Sequence, residues 1–332
     1  MFSGGRSSFF AAACGARPAR IDSLAGPSTT PAMSQRLRAD IALTTCTLIW
    51  GATFVVIKAA LTDISVMAYL AIRFGLAAVV MAVLYWRTVR ALTPQALWAG
   101  AQVGAFMFGG YIFQVSGIRF TTPSKAAFIT GISVVFVPII LAVFGRRRIS
   151  RWIWIGAIVA LSGLYFLTVP AEGLGGLNRG DPIVFGCAIM FALHMIFISR
   201  GLERHSVAAI SFLQVATTAA LSTLVLPLAA VSGWEKPHVA WTPFLVFAIL
   251  ATAILCTVVC FSLQTWAQKH TSASHAALLL SLEPVFAAIT SVSLGQERIG
   301  MRILLGAALI LAGIVLAESK ASSDSMPVEI PA

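Results

Sequence analysis

A chain of 332 residues that is 58% apolar and only 11% charged has too little polar surface to clothe a water-soluble globule, where about a quarter of residues are charged. With a mean hydropathy of +0.90, those figures exclude a soluble enzyme and a disordered tail as starting readings. The 23 Lys and Arg against 12 Asp and Glu, formally +11, fall mostly in short gaps between apolar runs, so the charge reads as membrane topology and not as a nucleic-acid surface.

Residues 1–39 are rich in Ser, Ala, Gly and Arg, with no acid before Asp22. Targeting segments share that composition with disordered or mis-assigned extensions; Met33 is an internal candidate start, and the segment is set aside from the fold. From Asp40 onward ten apolar segments near the ~20 residues that cross a bilayer follow one another: 41–58, 65–86, 95–117, 126–144, 152–169, 183–199, 207–231, 243–264, 274–294 and 302–318. The expected class is an all-α polytopic membrane protein. Thr93-Pro94, Asp181-Pro182 and Thr242-Pro243 each place a polar cap before a proline at a helix start. Seven of the eight tryptophans lie near segment ends, as interfacial anchors do; Trp50 sits at the centre of the first segment.

With the N-terminus inside, twelve Lys and Arg between Arg36 and Lys320 face the cytoplasm and seven face the other side, so both termini are expected to be cytoplasmic. Cys46, Cys187, Cys256 and Cys260 lie inside apolar runs, which indicates neither a disulfide framework nor a metal site. No GxxxxGK[ST], HExxH or GxSxG is present, so nothing points to ATP hydrolysis or an intramembrane hydrolase, and no cofactor is expected.

Sliding the chain on itself is more informative. At an offset of 150, residues 124–169 align without a gap to 274–319, with identities at Ser124/Ser274, Val135/Val285, Phe136/Phe286, Arg148/Arg298, Gly156/Gly306 and Gly163/Gly313. At an offset of 141, Asp40/Asp181, Cys46/Cys187, Ser65/Ser206 and Val66/Val207 coincide. Chance matches among apolar residues are common, but aligned glycines and arginines over an ungapped stretch point to duplication. Residues 40–169 and 181–318 are then two five-helix copies, joined by a Gly-rich linker at 170–180 and followed by a tail at 319–332. Five is odd, so the second copy enters the membrane from the opposite side. Two inverted halves exchange outward-open and inward-open states around a midplane site.

Glu283 lies near the middle of the ninth segment, where an ionised acid costs roughly 2.5–3.5 kcal/mol on insertion scales. Its neighbour Pro284 withholds an amide and clashes with the Leu280 carbonyl, opening the helix beside the acid. That pairing suits a proton carrier; a permanently protonated acid hydrogen-bonded for packing is the alternative. Pro138 aligns with Ala288, one turn from Pro284, so both copies are expected to break the equivalent helix on nearly the same face, either around a transport site or as a packing kink. Arg73 is deep in the second segment, aligned with Gln214; there it needs a counter-charge from Glu283 or from an anionic substrate, the alternative being an interfacial residue with the segment boundary displaced. His194, aligned with Thr53, relays protons, binds substrate or is a core histidine. Gln114 and Gln264, aligned with each other, line a path or cross-link helices. Lys125 and His275 read as surface anchors, and Gly156, Gly163, Gly306 and Gly313 as faces for close packing.

Trp50-Gly51 with Phe54 and Lys58, Arg73, the stretch Ser281-Leu282-Glu283-Pro284-Val285-Phe286-Ala287-Ala288, and Glu297 followed by Gly306 and Gly313 together resemble the EamA-type transporters of the drug/metabolite transporter superfamily, from Asp40 to Glu318. Two places depart from the pattern: Gln296-Glu297 replaces a Gly-Glu pair, and Ser65-Val66-Met67 lacks a proline. The resemblance implies ten transmembrane helices in two inverted halves, both ends cytoplasmic, and carriage of small metabolites, amino acids or drugs, often outward.

The expectation is therefore a secondary active transporter of the inner membrane that exports a small metabolite by alternating access with proton coupling. Glu283 is the coupling acid; Arg73, Trp50, Gln114, His194 and Gln264 are cavity residues; Pro138 and Pro284 break helices. Its partners are a small-molecule substrate, the proton and the lipid bilayer, without nucleic acid or metal; the oligomeric state stays open. The rival is a non-transporting receptor, scaffold or lipid-acting enzyme, which has no need of two bent, exchangeable halves.

Overall fold

Hydrocarbon offers the backbone no hydrogen-bond partner, so a chain this apolar must satisfy its amides within each segment. The computed structural model, which describes residues 34–121, 123–144, 149–169, 173, 178–293 and 300–321, does so with helices. They are α1 (Gln35–Ala60), α2 (Val66–Leu84), the short α3 (Trp86–Arg90), α4 (Pro94–Ile118), α5 (Pro123–Gly131), α6 (Ser133–Val143), α7 (Arg151–Thr168), α8 (Gly180–Leu202), α9 (Val207–Val231), α10 (Pro243–Ala251), α11 (Cys260–Gln268), α12 (Ala273–Leu280), α13 (Glu283–Ser293) and α14 (Met301–Ala321). A π-helical turn, Thr252–Val259, joins α10 to α11 in one continuous rod.

Among the described residues, eight helical spans are long and apolar enough to cross a membrane, and two shorter apolar stretches, Phe128–Val143 and Met301–Ala317, accompany them. Exposed Val79, Val83, Leu224, Leu228, Leu250 and Leu311 give these helices the apolar outer surface that lipid solvates. The chain is a multi-pass membrane protein. Thr93 and Thr242 cap α4 and α10 as expected, their hydroxyls accepting from Ala96 N at 3.2 Å and Leu245 N at 3.0 Å. Asp181 does not cap: it lies within the first turn of α8, and its carboxylate takes Thr121 Oγ1 at 2.6 Å and Asn178 N at 2.9 Å. The first helix begins at Gln35, ahead of the expected boundary at Asp40, because Ala39 and Leu43 are already buried. The expected N-terminal extension up to residue 33, most of the 170–180 linker, the tail beyond residue 321, the Lys125 side chain and Glu297 lie outside the described residues.

Four glycines decide the most extensive helix pairing. A Cβ at Gly156 would lie 2.6 Å from Gly313 O and one at Gly313 2.6 Å from Gly156 O; Gly163 and Gly306 face each other in the same way at 2.6 and 2.7 Å. So α7 and α14 run antiparallel with their backbones touching, which small residues allow. Around them, α1 packs on α11, α12, α13 and the π turn, α8 packs on α4, α5 and α6, and α2 packs on α9.

Candidate functional site

Two helices are interrupted inside the bundle, between α5 and α6 and between α12 and α13. The interruptions share one hydrogen-bond pattern. Ile132 N donates to Ile129 O at 3.2 Å, while Val135 N and Phe136 N reach Ile132 O at 2.9 and 3.2 Å; Leu282 N donates to Leu279 O at 3.1 Å, while Val285 N and Phe286 N reach Leu282 O at 2.9 and 3.2 Å. Pro284 stands at its break, as expected, second in α13 and without the amide that would bond Leu280 O. Pro138 does not mark the other break. It lies inside α6, and its ring acts on the carbonyl of Val134 in the first turn of that helix, so the interruption falls upstream at Ile132.

Glu283 is half-buried at the first residue of α13, and α1 presses on it. A Cβ on Gly51 would lie 2.6 Å from Glu283 O and 2.8 Å from Ala287 N, so only glycine admits this approach. The preceding residue, Trp50, donates from Nε1 to Cys256 O at 2.9 Å and packs its ring on Phe261 at 5.4 Å. Thr53 Oγ1 accepts from Cys256 Sγ at 3.4 Å. The π turn thus supplies the polar atoms that α1 reads. Such turns recur at functional sites because the widened turn displaces ordinary i→i−4 bonding.

The same turn holds Arg73. Its side chain is buried, its Nε donates to Thr257 Oγ1 at 3.0 Å, and Thr257 Oγ1 in turn donates to Thr252 O at 2.9 Å. The guanidinium carbon sits 5.0 Å from the Tyr111 ring centroid, a favourable cation–π arrangement. Nη1 is buried with no hydrogen-bond partner. Arg73 makes no ion pair with Glu283; Tyr111 and Cys256 lie within electrostatic reach of both.

Tyr111 is the hub of an aromatic cluster with Phe74 at 5.0 Å, Phe191 at 5.4 Å and Phe261 at 6.3 Å. Trp50 and Phe191 align at the offset of 141, Tyr111 and Phe261 at 150, so the Trp50–Phe261 and Phe191–Tyr111 contacts are counterparts of each other. Beyond Phe261, His194 is buried, its ring 6.0 Å away. His194 Nε2 donates to Gln214 Oε1 at 2.8 Å, and Gln214 Nε2 to Thr265 Oγ1 at 2.9 Å. Trp50, Arg73 and Glu283 therefore share one neighbourhood, and His194 joins it through Phe261. Gln264 is buried with Oε1 unpartnered, and Gln114 is half-buried on α4 outside these hydrogen bonds.

Tyr111, Thr257 and the π turn escaped the sequence reading; of these only Tyr111 left a signal, as the aligned partner of Phe261. His275 is not the surface anchor expected. It is buried, with Nε2 3.0 Å from Asp40 Oδ1, tying the start of α12 to α1.

A cavity of about 1760 Å³ opens where α4, α7 and α12 begin and α8 and α11 end, with Trp98, Gln102, Arg151, Ser199, Arg200 and Gln268 on its walls. None of the six candidate substrate or proton residues lines it. Gln268 does, one turn from Gln264 on α11, and is held by its Nε2 donating to Met195 O at 3.0 Å. The cavity is thus a vestibule beside the central cluster.

The EamA-like transporter family matches residues 37–169 and again 178–318. An "uncharacterized transporter" of Archaeoglobus fulgidus is 34% identical over 287 residues, covering 85% of this chain and 86% of that protein. The threonine/homoserine exporter RhtA of Salmonella typhimurium is 26% identical over 180 residues, 53% of this chain and 58% of its own length. A solved crystal structure superposes with a TM-score of 0.71 at 18% identity, covering 87% of this chain and 99% of that one, a likeness of fold.

Proposed function

This chain belongs to the EamA-like transporter family and is a membrane transporter; on that footing we propose that it is a proton-coupled secondary carrier that exports a small carboxylate-bearing metabolite from the cytoplasm by alternating access. The observation that carries the reading is the pair of matched helix breaks, one of which bears a lone acid against the backbone of α1. The antiparallel pairing of α7 with α14, segments that align with each other in sequence, supports ten spans in two inverted halves. Both termini and the Arg151–Arg200 end are assigned to the cytoplasmic side of the inner membrane by the excess of Lys and Arg there, so the vestibule faces the cytoplasm in this conformation.

Arg73 and Glu283 divide the work. A buried guanidinium with a free Nη1 calls for an anionic group, and a substrate carboxylate supplies one. Glu283 beside the broken helix takes up and releases the proton. One pH unit across the membrane is worth about 1.4 kcal/mol per proton, enough to sustain a tenfold substrate gradient. Trp50 and the Tyr111 aromatic cluster provide the apolar wall, and His194–Gln214–Thr265 is a polar relay on the far side of Phe261. RhtA carries threonine and homoserine by its name, which makes those two amino acids the first substrates to test.

The test is flux in proteoliposomes. Imposing a pH gradient drives substrate movement by the parent protein; Glu283→Gln abolishes that drive while exchange without a gradient persists. Unchanged pH dependence in Glu283→Gln removes the assignment.

A further inference from the structure

At the end of the bundle away from the vestibule, the α9–α10 loop is stitched to the α1–α2 turn. Ile64 and Val239 form an antiparallel bridge, Ser65 N donates to His238 O at 3.0 Å, Ala240 N donates to Asp63 O at 2.7 Å, and Thr242 Oγ1 donates to Asp63 Oδ2 at 2.7 Å. Within this seam Glu235 is buried. Its Oε1 accepts from Val66 N at 2.8 Å and from Arg119 Nη1 at 3.0 Å, and its Oε2 accepts from Met67 N at 2.9 Å. One carboxylate therefore joins the start of α2 to the end of α4.

The aligned helix start in the other half shows what this arrangement replaces. Ser206 caps α9 with its own hydroxyl, which accepts from Ala209 N at 3.2 Å. Ser65 occupies the equivalent position before α2 yet makes no such bond; its Oγ accepts instead from His238 N at 3.4 Å, and the carboxylate holds the first amides of α2. So α2 has two caps within reach and uses one. Glu235 holds the first two amides of α2, Val66 N and Met67 N, whereas the serine hydroxyl at the aligned start holds the third amide of α9, Ala209 N. Arg119 is 48% exposed, so its ion pair is wet at one edge and breaks easily.

Helix α4 reaches both ends of the bundle. Its first turns wall the vestibule across from α11 and α12, and its last residue leads into Arg119. A helix moves as a rod, so swinging its start across the vestibule swings Arg119 off Glu235. We propose that the Arg119–Glu235 contact is the latch of the closed end, made while the vestibule is open and broken when the vestibule closes, with Glu235 staying on the first amides of α2. The proposal rests on the alternating-access reading above.

Purified protein in nanodiscs presents both ends to a water-soluble maleimide, which makes the latch testable without knowledge of orientation. Gln114→Cys reports on the latched end and Ser199→Cys on the vestibule, each with labelling of the parent chain subtracted. Arg119→Gln leaves Glu235 on Val66 N and Met67 N, so the cap survives. It raises the Gln114→Cys labelling rate about fivefold, the shift that one wet ion pair supports, and lowers the Ser199→Cys rate; Arg119→Lys leaves both near the parent values. An unchanged Gln114→Cys rate in Arg119→Gln, or a rise at both reporters, overturns the latch. Flux by the parent protein is measured alongside: intact flux with unchanged labelling removes the latch alone, whereas absent flux removes the carrier reading itself.

Discussion

Ser133 opens α6 and Glu283 opens α13, at positions that align with each other, and the backbone around them is bonded in the same way to within 0.1 Å. One break needs no proline at its restart and carries a hydroxyl; the other has Pro284 and an acid. The interruption is thus a property of the helix and its surroundings, and of the two aligned positions only Glu283 carries an acid. The same division runs through the centre. Arg73 faces the π turn from α2, while its counterpart Gln214 on α9 bonds His194 and Thr265. The rod α10–α11 contains the π turn, whereas its counterpart α4 is α-helical throughout. In the proposed alternating-access mechanism, two similar scaffolds supply two conformations of similar energy, and the unequal side chains supply the binding and the proton exchange.

That asymmetry is broken most severely at Glu283. Replacing it with Gln removes pH-driven flux, whereas Ser133→Ala changes flux less than about twofold, since an exposed or half-buried hydroxyl contributes little. Equal losses in the two variants, measured in the same liposomes, place the coupling elsewhere. Arg73→Gln makes the α2 position chemically equal to the α9 one. Losing a charge-assisted bond of about 1.5–3 kcal/mol weakens half-saturation for a carboxylate substrate about 10–100-fold, with an esterified analogue unaffected; titration of flux against concentration reads both. The smallest effect separates the two serines. Ser206→Ala costs about 1 kcal/mol, the usual worth of an N-cap, whereas Ser65→Ala costs only a few tenths because Glu235 holds the α2 amides; thermal unfolding in detergent distinguishes them.

The helical spans and the Thr93 and Thr242 caps were legible because hydropathy and local capping depend on neighbours in the chain. The aligned glycines were legible for the same reason, and they fall where α7 meets α14. Contacts between distant segments were not. His275 lies far from Asp40 in sequence, and Glu235 looks like an ordinary loop acid until Val66 N, Met67 N and Arg119 surround it. The π turn has no local signature, since Thr252–Val259 reads as continuous apolar helix and its widening is evident only in the folded backbone. Pro138 misled for a related reason: a proline constrains the carbonyl a turn before it, and where the helix yields depends on packing. Trp50, Arg73 and Glu283 stand out in the sequence by their depth and His194 as a lone histidine in an apolar segment, whereas Tyr111, an ordinary aromatic in an apolar helix, does not.

The loops after the second long helix of each half decide the inverted arrangement most directly. Ala91→Cys, in the turn before α4, and Ser232→Cys, in the loop before α10, are both exposed and are probed on intact cells with a membrane-impermeant maleimide. Two inverted halves place them on opposite faces, with Ser232→Cys labelled from outside and Ala91→Cys only after the membrane is breached. Labelling of both from the same side contradicts the account.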